Sequence, residues 1–376
     1  LNRTHQLDAL RALAIFIVML HHYTVRRMPL EGYGVMLFFV LSGYFTTATL
    51  LRLREKVTQH DSTVGEALKQ FYQRRWLRIV PAYLAVVLIA IAADVPEGRA
   101  HFISLLSFGA NLEMLRSGEW MGRFSPLWSL AVLEQFYLFW PLALLVCPRR
   151  WTLTLLCCVI ATAPLFTVFC AATEQPSFVW FMVPLAWFHQ LGAGALLAWC
   201  SFSGSTERLM RVVSPLAALG AVGLILETFQ VQLPMRAIYM STLSAFFSIW
   251  LIARVSKGFG GATGWVFNQP FFTHVGRLSY GIFLLHNFTE LLLPRVGLLG
   301  TILDSDWKFV VLMPCTILLA DIMHRFFERP IIRFMAPPHH PPTSRTDSDE
   351  GVPGQIGCGD PREVLSFTQS EDRIKD

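Results

Sequence analysis

Leu10-Arg11-Ala12-Leu13-Ala14-Ile15-Phe16-Ile17-Val18-Met19-Leu20-His21-His22 carries a guanidinium near one end, two imidazoles at the other and only apolar side chains between. A helix advances about 100° per residue, so Arg11 and His22 fall within about 20° of one face and roughly 16 Å apart along the axis. His21 lies about 100° round from His22 and is the weaker candidate. An ionisable residue inside a membrane-length apolar run is costly, and by default it marks a functional site. A histidine near a helix end is also an ordinary hydrogen-bonding residue, and it is Arg11 on the same face that points to function.

The rest of the chain reads the same way. Of its 376 residues 53% are hydrophobic and 15% charged, with a mean hydropathy of +0.47. A water-soluble domain of this size does not discard so many charges, so the composition predicts an all-α, polytopic membrane bundle. Apolar stretches over 9–25, 33–51, 79–95, 127–146, 152–172, 178–200, 213–230, 236–253, 278–294 and 308–326 give about ten transmembrane helices. The stretch 79–95 is the weakest, opened by Pro81 and closed by Asp94. The basic loop 52–78, with Arg52, Arg54, Lys56, Lys69, Arg74, Arg75 and Arg78, places that side in the cytoplasm and with it both termini, although Arg26 and Arg27 fall on the opposite side. The expectation is a multi-pass protein of the inner cell membrane.

Other features bound the function. The first apolar run is interrupted by Arg11 and lacks a small-residue cleavage site, so it reads as a retained helix and not a removable signal peptide. The net charge of +5 is accounted for by the cytoplasmic loops and does not argue for nucleic acid. The seven cysteines show no metal-ligand spacing and read as small buried hydrophobes. Trp120, Trp128, Trp140, Trp151, Trp180 and Trp307 read as an interfacial belt. Ser62-Thr63-Val64-Gly65-Glu66 has the form of a helix cap, and 101–109 that of a semi-apolar segment lying in the interface or dipping into the bundle. Residues 1–335 form the membrane domain, and the Pro-, Ser- and Asp-rich 336–376 a disordered cytoplasmic tail.

Chemistry-bearing residues gather in few places. His22 is a candidate general base, since a neutral imidazole accepts a proton near neutral pH. Arg75 and Arg78, in Phe71-Tyr72-Gln73-Arg74-Arg75-Trp76-Leu77-Arg78-Ile79-Val80-Pro81, share a helical face. Guanidinium groups bind phosphate bidentately, though arginines flanking a span are also plain topology signals. Phe38–Phe45 puts Ser42, Gly43 and Tyr44 in mid-span. Pro126–Tyr137 carries Glu134 and Gln135, and Ser279-Tyr280-Gly281 precedes His286. Glu328-Arg329-Pro330 closes the last span and reads as a structural ion pair.

Together these segments resemble the acyltransferase-3 family of integral membrane O-acyltransferases. The carriers are Leu7-Asp8-Ala9-Leu10-Arg11-Ala12-Leu13-Ala14 with His22, the Phe38–Phe45 run, the Phe71–Pro81 run, and Trp128-Ser129-Leu130 with Gln135-Phe136-Tyr137. Gly276-Arg277-Leu278-Ser279-Tyr280 with His286, and Glu328-Arg329-Pro330, complete the set over residues 7 to 330. The resemblance implies a ten-helix domain that moves an acyl group, usually acetyl, from cytoplasmic acyl-CoA to a hydroxyl. The acceptor is a sugar of a surface polysaccharide, lipopolysaccharide or related glycoside, or an antibiotic such as a macrolide. The family's Arg-x10-His motif falls on Arg11 and His22, and its Arg-x-x-Arg motif on Arg75 and Arg78. One position departs: where the family usually has a glutamate this chain has Leu133, and its carboxylate is the neighbouring Glu134, about 100° away. Some members carry a further hydrolase-like domain, for which the stretch after the membrane region is too short.

The resulting expectation places the phosphates of acyl-CoA against Arg11, Arg75 and Arg78, with His22, Glu134 and Tyr137 as catalytic candidates. Ser42, Tyr44 or Tyr137 is the oxyanion donor, His286 a further supporting residue, and no metal takes part. The rival from another class is a transporter with an intramembrane His/Arg/Glu relay, which calls for inverted repeats that the sequence does not display.

Overall fold

The computed structural model describes residues 3–24, 31–228, 236–293, 297–305 and 307–335, and every regular element in them is helical. In chain order these are α1 (Arg3–Tyr23), α2 (Glu31–Thr58), α3 (Val64–Ala92), the short α4 (Phe102–Leu106) and α5 (Ala110–Ser117), and α6 (Leu127–Val146). Then follow α7 (Thr152–Ala172), the short α8 (Ser177–Met182), α9 (Leu185–Phe202), α10 (Thr206–Thr228), α11 (Arg236–Lys257) and the short α12 (Gly261–Phe267). The last are α13 (Pro270–Thr289), the short α14 (Gly297–Leu303), α15 (Lys308–Met323) and α16 (Arg329–Met335), with a π-helical segment His324–Glu328 between the last two. Among the described residues ten long helices stand over the ten apolar stretches. The tail 336–376 lies outside the described residues.

Seven stretches among the described residues are long and apolar enough to cross a membrane on length and composition alone: those over α2, α3, α6, α7, α8–α9, α10 and α15–α16. The remaining long helices, α1, α11 and α13, fall short of that measure. α1 and α13 bury Gln6, Asp8, Thr273, Ser279 and His286 at the centre. The apolar pattern runs the other way round at the periphery. The stretches of highest mean hydropathy, over α7 (2.3) and α10 (2.0), are among the least buried. They expose Leu165, Val168, Phe169, Val212, Leu219, Val222 and Ile225. A bundle whose outer helices are its most apolar is solvated by lipid, and its polar helices are kept inside.

Small residues set the closest helix approaches, as expected where no hydrophobic force separates helix from lipid. A Cβ at Gly43 of α2 would collide with the Leu191 carbonyl of α9, and one at Gly194 of α9 with the Val40 carbonyl of α2. A Cβ at Gly276 of α13 would collide with the Asp8 carbonyl of α1. This last contact brings the Arg11–His22 face of α1 against Ser279, Tyr280 and His286.

The first part of the basic segment, with Arg52, Arg54 and Lys56, ends α2, and the part from Val64 joins the third apolar stretch in one helix, α3, which passes through Pro81 without ending. Its start is the capping box expected at Ser62–Glu66: Glu66 N donates to Thr63 Oγ1 (3.2 Å) and Thr63 N to Glu66 Oε2 (2.7 Å). The segment 101–109 docks on this helix. Tyr83 Oη donates to Leu105 O (2.6 Å) and Phe108 stacks on the Tyr83 ring at 4.2 Å, while Phe102 and Ile103 stay exposed.

Two expectations are corrected. Trp120, Trp151 and Trp307 are exposed as belt residues are, but Trp128 and Trp140 are buried. Trp128 packs against Phe39, Phe181 and Trp187, and Trp140 Nε1 donates to Thr47 Oγ1 (2.8 Å), so the indole finds its partner inside the bundle. Of the cysteines, Cys170 and Cys200 are buried as expected, whereas Cys157 and Cys158 are exposed on the lipid-solvated α7. There a thiol passes for a small apolar group.

Arg54 is the buried cation that ties α2 to the α6–α7 corner. Its Nη1 donates to Thr152 Oγ1 (2.8 Å) and its Nη2 to Cys147 O (2.6 Å), a carbonyl left free by the end of α6. Arg54→Ala removes two charge-assisted bonds and strands that carbonyl. The expected cost is about 2 kcal/mol, read as a lower thermal unfolding midpoint of the detergent-solubilised protein.

Candidate active site

Arg11, Arg75 and Arg78 converge on one cavity of about 130 Å³ between α1, α2, α3, α6 and α13. Three arginines line it and no acidic residue does, with Ser42, Ser129, Tyr137, Ser279 and Tyr280 among the polar groups of the wall. Two of the guanidinium groups are held by their neighbours. Arg11 Nη1 bonds Asp8 Oδ1 (3.0 Å), and its Cζ sits 4.3 Å from the Phe45 ring centroid. Arg75 Cζ lies 3.4 Å from the centre of the Tyr137 ring, a cation–π contact. Arg78 is exposed where it lines the cavity. Tyr280 Oη donates to Ile79 O (2.8 Å), tying α13 to α3 beside Arg78.

Two of these features are absent from the sequence reading. Asp8, buried on α1, is shared by Arg11 and by Arg277 of α13, whose Nε lies 3.7 Å from Asp8 Oδ2. The Asp8/Arg11 spacing of three residues is a readable helix pair, whereas the approach of Arg277 depends on Gly276 and could not be read locally. Glu328 is likewise engaged: its Oε2 lies 2.7 Å from His324 Nδ1, and Arg329 Nε donates to His324 Nε2 (3.2 Å). The expected structural ion pair is thus mediated by a histidine inside the π-helical turn.

The carboxylate of the α6 motif is set off from the cavity. Leu133 lines the wall and Glu134 does not, in keeping with their 100° separation. Glu134 Oε1 is buried with no hydrogen-bond partner among the described residues, and Arg75 is the charge that acts on it. Arg75 Nε is buried and without a hydrogen-bond partner too. Tyr137 lines the cavity as the platform of Arg75, Ser42 lines it directly, and Tyr44 turns to the Phe45 ring (5.4 Å) and the Ser201 hydroxyl.

His22 stands outside the cavity wall, further along α1. Its ring packs on His286 with centroids 4.8 Å apart and on His21 at 5.3 Å. Phe283 belongs to both places: it lines the cavity and its ring centroid lies 5.5 Å from that of His286. The arrangement is a cationic cavity at one level of α1 and α13, and a pair of imidazoles one aromatic layer beyond it. Such an arrangement has the charge to hold a polyanion at one end and imidazole nitrogens near the other.

The chain is similar to known proteins over most of its length. The chain is 27% identical over 355 aligned positions to the peptidoglycan O-acetyltransferase OatA of Listeria monocytogenes, covering 86% of this chain and 55% of the relative. A putative peptidoglycan O-acetyltransferase of Bacillus subtilis, YrhL, matches at 27% identity with 86% and 54% coverage. A putative O-acetyltransferase of Staphylococcus aureus matches at 25% with 86% and 56%. The chain spans about half the length of these relatives. No solved structure matches. The model of the acyltransferase-3 family, described as an acyltransferase domain, matches residues 4–325, and with the six motifs in place the chain belongs to that family.

Proposed function

We propose that this protein transfers an acetyl group from acetyl-CoA to a hydroxyl of a cell-envelope glycan, as the names of its peptidoglycan-acetylating relatives suggest. The observation that carries the reading is the convergence of Arg11 of α1 with Arg75 and Arg78 of α3 on one cavity lined by no acid, with His22 meeting His286 further along α1 and α13. Guanidinium forks match phosphate oxygens. The rise of roughly 16 Å from Arg11 to His22 suits the pantetheine arm of a CoA thioester. The basic stretch over 52–78 puts the arginine end in the cytoplasm, where acyl-CoA is made, and His22 toward the outer half of the bilayer. The acetyl group thus crosses while the nucleotide stays inside.

His22 acts as general base. The acceptor oxygen attacks the thioester carbonyl carbon and its proton passes to a His22 nitrogen. The tetrahedral adduct collapses with loss of the C–S bond, and the departing sulfur takes the proton back from the imidazolium. Ser42, which lines the cavity where Tyr44 does not, is the candidate oxyanion donor. Tyr137 serves by carrying Arg75, and Glu134 faces Arg75 rather than the reacting carbonyl.

The test is acetyl transfer by the full chain in proteoliposomes, with radiolabelled acetyl-CoA outside and solubilised peptidoglycan strands as acceptor probe. Label in alkali-labile ester on the glycan, released as acetate, supports the reading. Flux of solute without consumption of acetyl-CoA overturns it in favour of a transporter.

A further inference from the structure

The arginine cluster extends one helical turn beyond the cavity. Asp8 precedes Arg11 on α1 by three residues, and Arg277 precedes Tyr280 on α13 by three. Arg11 and Tyr280 line the cavity, and at this spacing Asp8 and Arg277 share their helix faces. Both stand about 4.5 Å further along the axis, on the side away from His22 and His286. They meet there. Arg277 Nε lies 3.7 Å from Asp8 Oδ2, at the point where Gly276 lets α13 approach the Asp8 carbonyl.

The contact is an ion pair short of a hydrogen bond. Asp8 Oδ2 and Arg277 Nε are both buried and have no hydrogen-bond partner among the described residues. Asp8 Oδ1 is taken by Arg11 Nη1 at 3.0 Å. The Asp8 side chain is 3% exposed and that of Arg277 30%, so the carboxylate is sealed in while the guanidinium stays partly open. A guanidinium carries five N–H donors, and Asp8 engages only the Nε side of this one. The carboxylates of the last span are engaged elsewhere, Asp321 with His274 and Arg325, and Glu328 with His324. Two cations against one anion leave the Asp8–Arg11–Arg277 group with an excess of positive charge, to which Arg75 and Arg78 add.

An acyl-CoA carries phosphate in two places, a pyrophosphate next to the pantetheine arm and a phosphomonoester on the ribose 3′ oxygen beyond it. With the thioester toward His22, the molecule presents thioester, arm, pyrophosphate and 3′-phosphate in that order. Along α1 and α13 the protein presents His22, then the three-arginine cavity, then Arg277. Resting on the reading of acetyl-CoA as the donor, we propose that Arg277 binds the 3′-phosphate, a fourth guanidinium aligned by Asp8 one turn beyond the cavity. The phosphomonoester carries about −1.5 to −2 charge at neutral pH, and a planar guanidinium fork takes two of its oxygens. The consequence is selectivity for CoA over 3′-dephospho-CoA, which contacts to the pyrophosphate alone do not supply.

The test is calorimetric binding of CoA and of 3′-dephospho-CoA to the full chain in phosphatidylcholine nanodiscs, which leave both faces of the protein accessible. The unaltered protein is expected to bind CoA about tenfold or more tightly than 3′-dephospho-CoA. Arg277→Gln is expected to bring the two affinities to within about twofold of each other. Arg277→Lys keeps a charge beside Asp8 without the fork, and its preference is expected to fall between the two. Because the readout is a ratio between two ligands on one preparation, a loss of packing at Asp8 does not imitate it. A preference left at the unaltered value in Arg277→Gln, or in Arg277→Lys where the glutamine variant does not fold, overturns the assignment. So does an Arg277→Gln effect seen only as a changed response of the thermal midpoint to added phosphatidylglycerol, which would give the guanidinium to a lipid headgroup. If the unaltered protein binds both ligands equally, this inference alone fails; if it binds neither, the acetyl-CoA reading fails with it.

Discussion

His22→Ala is expected to reduce acetyl transfer by about 100- to 10,000-fold, the contribution of a positioned general base, while the protein stays folded. The fold survives because His22 is half-buried and Tyr23 beside it carries interhelix hydrogen bonds of its own. Tyr23 holds the α13 carbonyl and Thr316, and the α1–α13 contact at Gly276 lies more than three helical turns away. The measurement is CoA release and glycan ester formation under saturating acetyl-CoA, beside a thermal melt. A base acting in the chemical step gives lost turnover with unchanged donor KM. A rise in donor KM with turnover intact would instead assign His22 to binding.

The sequence already held the axis of this site, because Arg11 and His22 lie on one helix and their relation is fixed by helical geometry. Arg75 and Arg78 were legible for the same reason. What was not legible depends on how helices meet. Arg277 reaches Asp8 only because Gly276 lets the two backbones touch. The Trp128 cluster forms from α2, α6, α8 and α9, so no local pattern separates these tryptophans from the exposed Trp120 or Trp151. Glu134 is a middle case. Its 100° offset from Leu133 was readable, and the cavity wall carries Leu133 accordingly. Its burial beside Arg75, however, needed the approach of α3 to α6. The fusion of residues 64–78 with the third span was half legible, since the cap at Thr63 was visible but Pro81 read as the opening of a separate span. A proline is tolerated there because a membrane helix packed among others satisfies the freed carbonyl in alternative ways.

Arg75→Ala/Arg78→Ala is expected to weaken the donor step, where His22→Ala strikes the chemical one. A guanidinium–phosphate contact is a charge-assisted hydrogen bond, and losing two in a site partly open to water costs about 3 kcal/mol. The acetyl-CoA KM should therefore rise roughly 100-fold, with turnover at saturation falling far less. Lysine is not expected to restore Arg75. Its ammonium lacks the planar fork, and it cannot lie flat on the Tyr137 ring as the guanidinium does at 3.4 Å. Arg11→Ala should cost less than the pair, because part of that charge is already neutralised by Asp8 at 3.0 Å. Salt gives an independent check. With three arginines and no acid on the wall, the unaltered protein should lose acetyl-CoA affinity as ionic strength rises, and the double variant should lose much less. Acetyl-pantetheine, which keeps the thioester and arm but lacks the nucleotide phosphates, should be used equally poorly by both proteins. If the double variant discriminates between acetyl-CoA and acetyl-pantetheine as strongly as the unaltered protein does, the arginines read only topology, and the phosphates are held elsewhere.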